Sequence, residues 1–216
     1  MKTKFLAIIS SISIVLFASL SSKAEDSYLK INYGITSNNI GVTASSGAIT
    51  SDDEDEGFML SGGSMVGDFW GIDLMYYDMG DSKFTVTSDD VIKIDNANFS
   101  VDSGNGGDIT QNITGFGIGL ISSGSSGDDF LSLDYYVKLG VHSWDRDGST
   151  TLLIDDDGFK SKFYNDGIGA YGGIGISINM FSNTSLDLAY DIIGVSNDVS
   201  FDNNSTLASA GLRIKF

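Results

Sequence analysis

Cysteine and proline are both missing from the 216 residues, and histidine occurs once. Without a thiol there is no disulfide, no cysteine nucleophile and no cysteine metal site. That fits an exported chain whose strands close on each other, because such a fold has no need of cross-links. The lack of proline beside 27 glycines has another consequence. A chain rich in turn residues keeps every backbone amide free to donate into a ladder. Bases are scarce as well, 12 against 29 acids. A phosphate backbone is bound through basic patches, so nucleic acid is excluded as a partner. Long apolar runs are the last absence. Apart from residues 5–20 the sequence has none, and a spanning helix needs ~20 such residues. Any membrane crossing beyond that point must use strands.

The one apolar run follows Lys2 and Lys4, is broken only by small residues, and leads into Ser22-Lys23-Ala24. Charged, apolar and small-residue sections in that order make a secretory signal peptide over residues 1–24, cleaved after Ala24, with residues 25–216 as the mature domain. A single membrane anchor is the competing reading, and the serines within the run weigh against it. Cleavage removes Lys2, Lys4 and Lys23, leaving nine of the 12 bases against 29 acids, a balance of −20.

The rest of the chain alternates. In the closing stretch, 207–216, Ala208, Ala210, Leu212, Ile214 and Phe216 form one face, and Ser209, Gly211, Arg213 and Lys215 the other. Residues 28–36, 58–65, 69–79, 111–122, 130–144, 163–179 and 184–196 read the same way. Over 130–144, Leu131, Leu133, Tyr135, Val137, Leu139 and Val141 face away from Ser132, Asp134, Tyr136, Lys138, Gly140 and His142. Eight strands follow, joined by connections that run long, short, long, short, long, short, long. Short turns on one side, longer loops on the other and an even strand number describe an outer-membrane barrel. Phe69, Trp70, Phe130, Phe181 and Phe216 collect near the short-turn edge as an interfacial belt. The predicted fold is therefore all-β, an eight-stranded antiparallel up-and-down transmembrane β-barrel. A soluble lipocalin-like barrel is the alternative, and it requires the apolar faces to point inward.

Several stretches resemble the membrane domain of the OmpA family: 133–140, read as Leu-Asp-Tyr-Tyr-Val-Lys-Leu-Gly, followed by Trp144; Gly172-Gly173-Ile174-Gly175; Leu186-Asp187-Leu188-Ala189-Tyr190; and the closing strand. The resemblance implies an outer-membrane location, a monomer, contact with outer-membrane lipid and lipopolysaccharide, and no cofactor. It also implies that Leu212, Ile214 and Phe216 form the terminal signal read by the barrel-assembly machinery. Where the family can place a Glu and an Arg, this chain has Gly175 and Asp187, so a gating pair of that composition is not implied. The family's soluble peptidoglycan-binding domain is not expected, the sequence stopping at Phe216.

Eight strands close to a diameter that side chains nearly fill, so the interior should be a packed polar plug with water. Its charged members are Lys30, Asp73, Asp134, Lys138, Asp187, Asp191 and Arg213. Buried charges of both signs must pair or stay hydrated. They form either a salt-bridge network that satisfies itself, which the sequence favours, or a narrow gated ion path. The acid runs 52–56 and 155–157 have oxygen ligands suited to Ca²⁺ but lack the spacing of a calcium loop, and read as solvated loop charge without a metal. His142 raises the idea of a lipid-modifying enzyme. Its neighbour Ser143 should face the other way, Ser132 is the other hydroxyl weighed, and no nucleophile-elbow motif is present. No catalytic residue is therefore assigned. The expected role is structural or surface-exposed in the bacterial envelope, with a narrow porin-like channel or small-solute transporter as the alternative.

Overall fold

A computed structural model of the protein describes residues 27–39, 43–44, 49–52, 54–86, 91–94, 97–100, 106–127, 132–154, 157–195 and 203–216. The signal peptide, Phe130, Asp53, Asp155, Asp156 and most of the last loop lie outside the described residues. The strands in chain order are β1 (Ser27–Asn39), β2 (Thr43–Ala44), β3 (Ile49–Asp52), β4 (Glu54–Met65), β5 (Trp70–Val86), β6 (Val91–Ile94), β7 (Ala97–Ser100), β8 (Gly106–Ser125), β9 (Leu133–Ile154), β10 (Asp157–Asn179), β11 (Thr184–Gly194) and β12 (Asn204–Lys215). Eight of them close a ring in the order β1, β4, β5, β8, β9, β10, β11, β12, all antiparallel. The seam is β1 on β12, paired from Tyr28 opposite Lys215 to Asn39 opposite Asn204. With that seam made, the eight-stranded wall has no free edge at its level, which is the condition for crossing hydrocarbon.

Which way the faces point decides between the two candidate folds. Leu133, Val137 and Ile174 are 43%, 56% and 58% exposed, whereas Lys138 and Asp187 are 2% and 0% exposed. Ile31, Leu139, Leu188, Tyr190, Leu212 and Ile214 are also on the outside. Apolar-out and charged-in excludes a soluble barrel, which would need the reverse. The strand ends at Met65 and Trp70, Ser125 and Leu133, and Asn179 and Thr184 gather at one end with Ser27 and Phe216, whose amide donates to the Ser27 carbonyl at 2.9 Å. Phe69, Trp70, Phe181 and Phe216 are exposed at that end.

Two expectations about the opposite end need correcting. Residues 145–162 are not a loop: β9 and β10 are 22 and 23 residues long and stay paired from Leu133 opposite Ile178 up to Ile154 opposite Asp157. The connection there is short, so the long-short rhythm fails at this position. A crossing needs only about 9–11 residues, and the remaining half of the hairpin protrudes. In the gap 80–110 the sequence allows 83–87 and 91–94 to extend a hairpin beyond the membrane, and β5 does continue to Val86, paired with β8, which begins at Gly106. Residues 91–94 do form a strand, but it joins β2 and β7 in a separate three-stranded sheet and does not prolong the hairpin. In both places the physical reason is the same. Beyond the lipid, the outward face turns polar, so hydropathy alternation ends while the hydrogen-bond ladder continues.

Candidate functional site

The interior is built from alternate residues of every strand and falls into two layers. Toward the short-turn end it is charged. Lys138 Nζ lies 2.8 Å from Asp191 Oδ1. Lys30 Nζ is 3.4 Å from Asp187 Oδ2 and donates to the Tyr136 hydroxyl at 2.6 Å. That hydroxyl in turn donates to Asp187 at 2.9 Å. Asp187 also accepts from Asn32 at 2.9 Å and from Ser177 at 2.7 Å, so its carboxylate is the hub of the layer. Tyr28 donates to Asp73, and the Arg213 guanidinium stands 4.5 Å above the Tyr28 ring. Asp134 sits at the rim, where Lys215 meets it at 2.5 Å and Asn179 donates to it at 3.2 Å. Lys30, Asp73, Asp134, Lys138, Asp187, Asp191 and Arg213 are all buried, and three cations face three carboxylates above the rim pair. Burial at this depth is tolerable only with partners of opposite sign.

Toward the protruding end a large apolar layer fills the lumen, with Arg146, Gln111, Asn38 and Ser82 buried there as well, and this layer was not expected. Met59, Met75, Tyr77, Met79, Ile113, Trp144, Tyr171, Ile193, Val195 and Leu207 pack into one cluster, each 3% exposed or less. The predicted polar, watered plug is thus only half of the filling. Alternation puts Met75, Tyr77 and Tyr171 on the faces opposite the lipid-facing residues, where side chains this large have to pack against one another. The signal was their size. Glycines on neighbouring strands make the room. A Cβ on Gly119 would lie 2.5 Å from the Tyr171 hydroxyl oxygen, and one on Gly175 would lie 2.3 Å from Tyr136 Cζ. Large residues thereby lie against the backbone of neighbouring strands.

His142 stands inside the apolar layer. Its Nε2 is 2.9 Å from the Gly194 carbonyl, so that nitrogen carries the proton, and its Nδ1 accepts from the Tyr77 hydroxyl at 2.7 Å. The Tyr77 and Tyr171 rings approach it edge-on. Ser143 lies on the opposite, exposed face, and Ser132 accepts a hydrogen bond from Asn179 near the rim. The geometry does not assemble a histidine with a serine nucleophile. Among the described residues no group of three or more His, Cys, Asp or Glu side chains is placed to hold a metal ion.

No family model matches the sequence, and no curated protein matches it. Among solved structures, the chain is similar to Ail, the attachment invasion locus protein of Yersinia pestis, crystallised with the heparin analogue sucrose octasulfate. That match has 15% identity, covers 88% of this chain and 99% of the other, and has a TM-score of 0.46. The outer membrane protein OprG of Pseudomonas aeruginosa is 15% identical over 89% of this chain and 97% of its own, with a TM-score of 0.48. Neisserial surface protein A is 18% identical over 88% and 97%, with a TM-score of 0.44.

Proposed function

We propose that the protein is a monomeric β-barrel of the bacterial outer membrane with a structural or surface-exposed role in the cell envelope. It is exported by a cleaved signal peptide over residues 1–24 and seated in outer-membrane lipid and lipopolysaccharide by the barrel-assembly machinery. One observation carries this reading: a closed ring with large apolar side chains outside and paired charges inside. Water does not stabilise so continuous an apolar surface on a monomer, whereas lipid does. The end bearing Phe69, Trp70, Phe181 and Phe216 faces the periplasm, and the protruding β9–β10 hairpin faces outward from the cell. In this reading the lumen charges Lys30, Asp73, Asp134, Lys138, Asp187, Asp191 and Arg213 hold the wall together, and the apolar layer above them weighs against the channel alternative.

The two tryptophans supply the test, because Trp70 is outside at the belt and Trp144 is sealed in the lumen. In vesicles of brominated phospholipid, the emission of Trp144→Phe, which reports Trp70, should be strongly quenched. The emission of Trp70→Phe, which reports Trp144, should change little. Equal quenching of both, or of neither, would remove the membrane reading.

A further inference from the structure

Above the apolar band, the outer wall of the protruding strands carries a groove of about 490 Å³. Its lower bank is a row across four strands, Asp81 opposite Asn112, Asn112 opposite Asp147, and Asp147 opposite Tyr164. Its upper bank is Thr110, Ser149 and Lys162, likewise in register. Gly148 lies in the floor between the banks, and the Phe163 ring packs on it, with Cζ 2.1 Å from where a Cβ would be.

The groove depends on a bulge. Before it, Asp73, Met75, Tyr77 and Met79 are buried; after it, Ser82 and Phe84 are buried while Asp81 and Lys83 are exposed. A bulge re-aims the side chains that follow it, and this one turns Asp81 out of the lumen into the bank. Gly80, at φ 69°, takes the turn. Asp78 holds it by accepting from the Gly80 amide and from Asn112 Nδ2, each at 3.0 Å, and Asn112 Nδ2 also donates to the Gly80 carbonyl at 3.0 Å. Both bonds of Asn112 run through its nitrogen and neither uses its carbonyl oxygen. Along the upper bank, the Thr110 and Ser149 hydroxyls bond at 2.8 Å. The Tyr164 hydroxyl donates to Asp145, which fixes a ring that remains 47% exposed.

We infer that this groove binds a neutral saccharide. Two carboxylates against one ammonium disfavour phosphate, sulfate or any other anion, and amide, hydroxyl and charged groups on both banks disfavour a greasy ligand. Vicinal hydroxyls satisfy such banks because each one donates to a carboxylate or amide oxygen and accepts from an ammonium or hydroxyl. The C–H face of a sugar ring covers the Tyr164 ring. The volume falls within the ~300–1,000 Å³ of small-ligand sites and has room for one or two sugar units. Depth fits as well, since Tyr164 lies about 13 Å along β10 beyond Ile168, which is 67% exposed. The sugar is carried either by a glycolipid of the surrounding leaflet or by a soluble glycan. This inference rests on the outer-membrane reading for the depth of the groove and on the lining residues for its chemistry.

The test follows amide resonances of residues 110–112, 147–149 and 162–164 in the refolded, isotope-labelled protein. Lactose, cellobiose and maltose are titrated in detergent micelles, and lipopolysaccharide is added in phospholipid nanodiscs, with phospholipid alone and inorganic phosphate as controls. Saturable shifts with a disaccharide support the site with a soluble source; shifts with lipopolysaccharide that phosphate does not reproduce support it with a glycolipid source. Asp147→Ala combined with Tyr164→Ala should weaken the response at least tenfold, and Lys162→Gln several-fold, with the barrel's shift in gel mobility on heating retained. No shift in either format, an equal or stronger shift with phosphate, or a response undiminished in the double variant overturns the inference. Failure of the brominated-lipid test instead removes the membrane reading and leaves the micelle titration to judge the groove.

Discussion

A lysine that is 2% exposed, as Lys138 is, survives only because Asp191 answers it at 2.8 Å. Taking away one partner leaves the other charge buried and unpaired, which costs about 3–5 kcal/mol, whereas replacing both with apolar groups of similar volume is often near neutral. Lys138→Met should therefore lower the unfolding free energy in urea by about 3–5 kcal/mol, and Lys138→Met with Asp191→Leu by much less than the two single losses combined. Additive losses would show that the pair is not coupled. The protruding hairpin offers a residue of the opposite kind. Tyr164 is exposed, and its hydrogen bond to Asp145 pushes its phenol up to about 12. A folded value above the ordinary one near 10 means that the bond's contribution is present below pH 10 and fades as pH rises toward 12. Asp145→Asn should bring the Tyr164 ionisation, followed by ultraviolet absorbance against a Tyr164→Phe blank, back toward 10. An unchanged midpoint would detach the shift from Asp145.

At the level of strands, legibility in the sequence tracked the lipid. Where one face met hydrocarbon, as in 133–141 or 207–216, alternation marked both the strand and the direction of its side chains, whereas Arg146, 2% exposed on β9 beyond Trp144, escaped because the stretch holding it read as a loop. Past the membrane, Thr150 and Thr151 continue β9 opposite Ser161 and Lys160 with no apolar stripe to betray them, so residues 145–162 looked like a loop. The bulge after Asp78 was illegible for another reason. A change of parity leaves no mark when both faces carry polar groups, and the groove it builds was invisible with it. The closing strand carries a prediction of its own. If Leu212, Ile214 and Phe216 are the segment read by the assembly machinery, Phe216→Ser should cut the heat-shifting, membrane-inserted fraction in cells several-fold. It should change the stability of refolded protein little, because Phe216 is 71% exposed. A parallel loss of stability would make Phe216 a packing residue instead.

For the whole molecule the two lumen layers act in series. The charged layer by itself would be a plausible ion path, since its carboxylates and ammonium groups are closely spaced and hydrated paths are lined in this way. An ion leaving it toward the protruding end must pass Met59, Met75, Tyr77, Met79 and Tyr171, all within 1% of full burial. Side chains packed to that degree leave no continuous water column, and an ion stripped of water in an apolar constriction meets a barrier that gates by dewetting. The charges and the plug are therefore consistent with a wall that is held shut. In planar lipid bilayers the protein should insert without unitary conductance steps at either polarity. Met75→Ser with Tyr171→Ser, which replaces two large plug residues with small hydroxyls beside Gly117 and Gly119, should admit water and give small, noisy openings. Regular steps from the unmodified protein would mean that the plug moves aside under voltage, and would return the lumen charges to the role of an ion path.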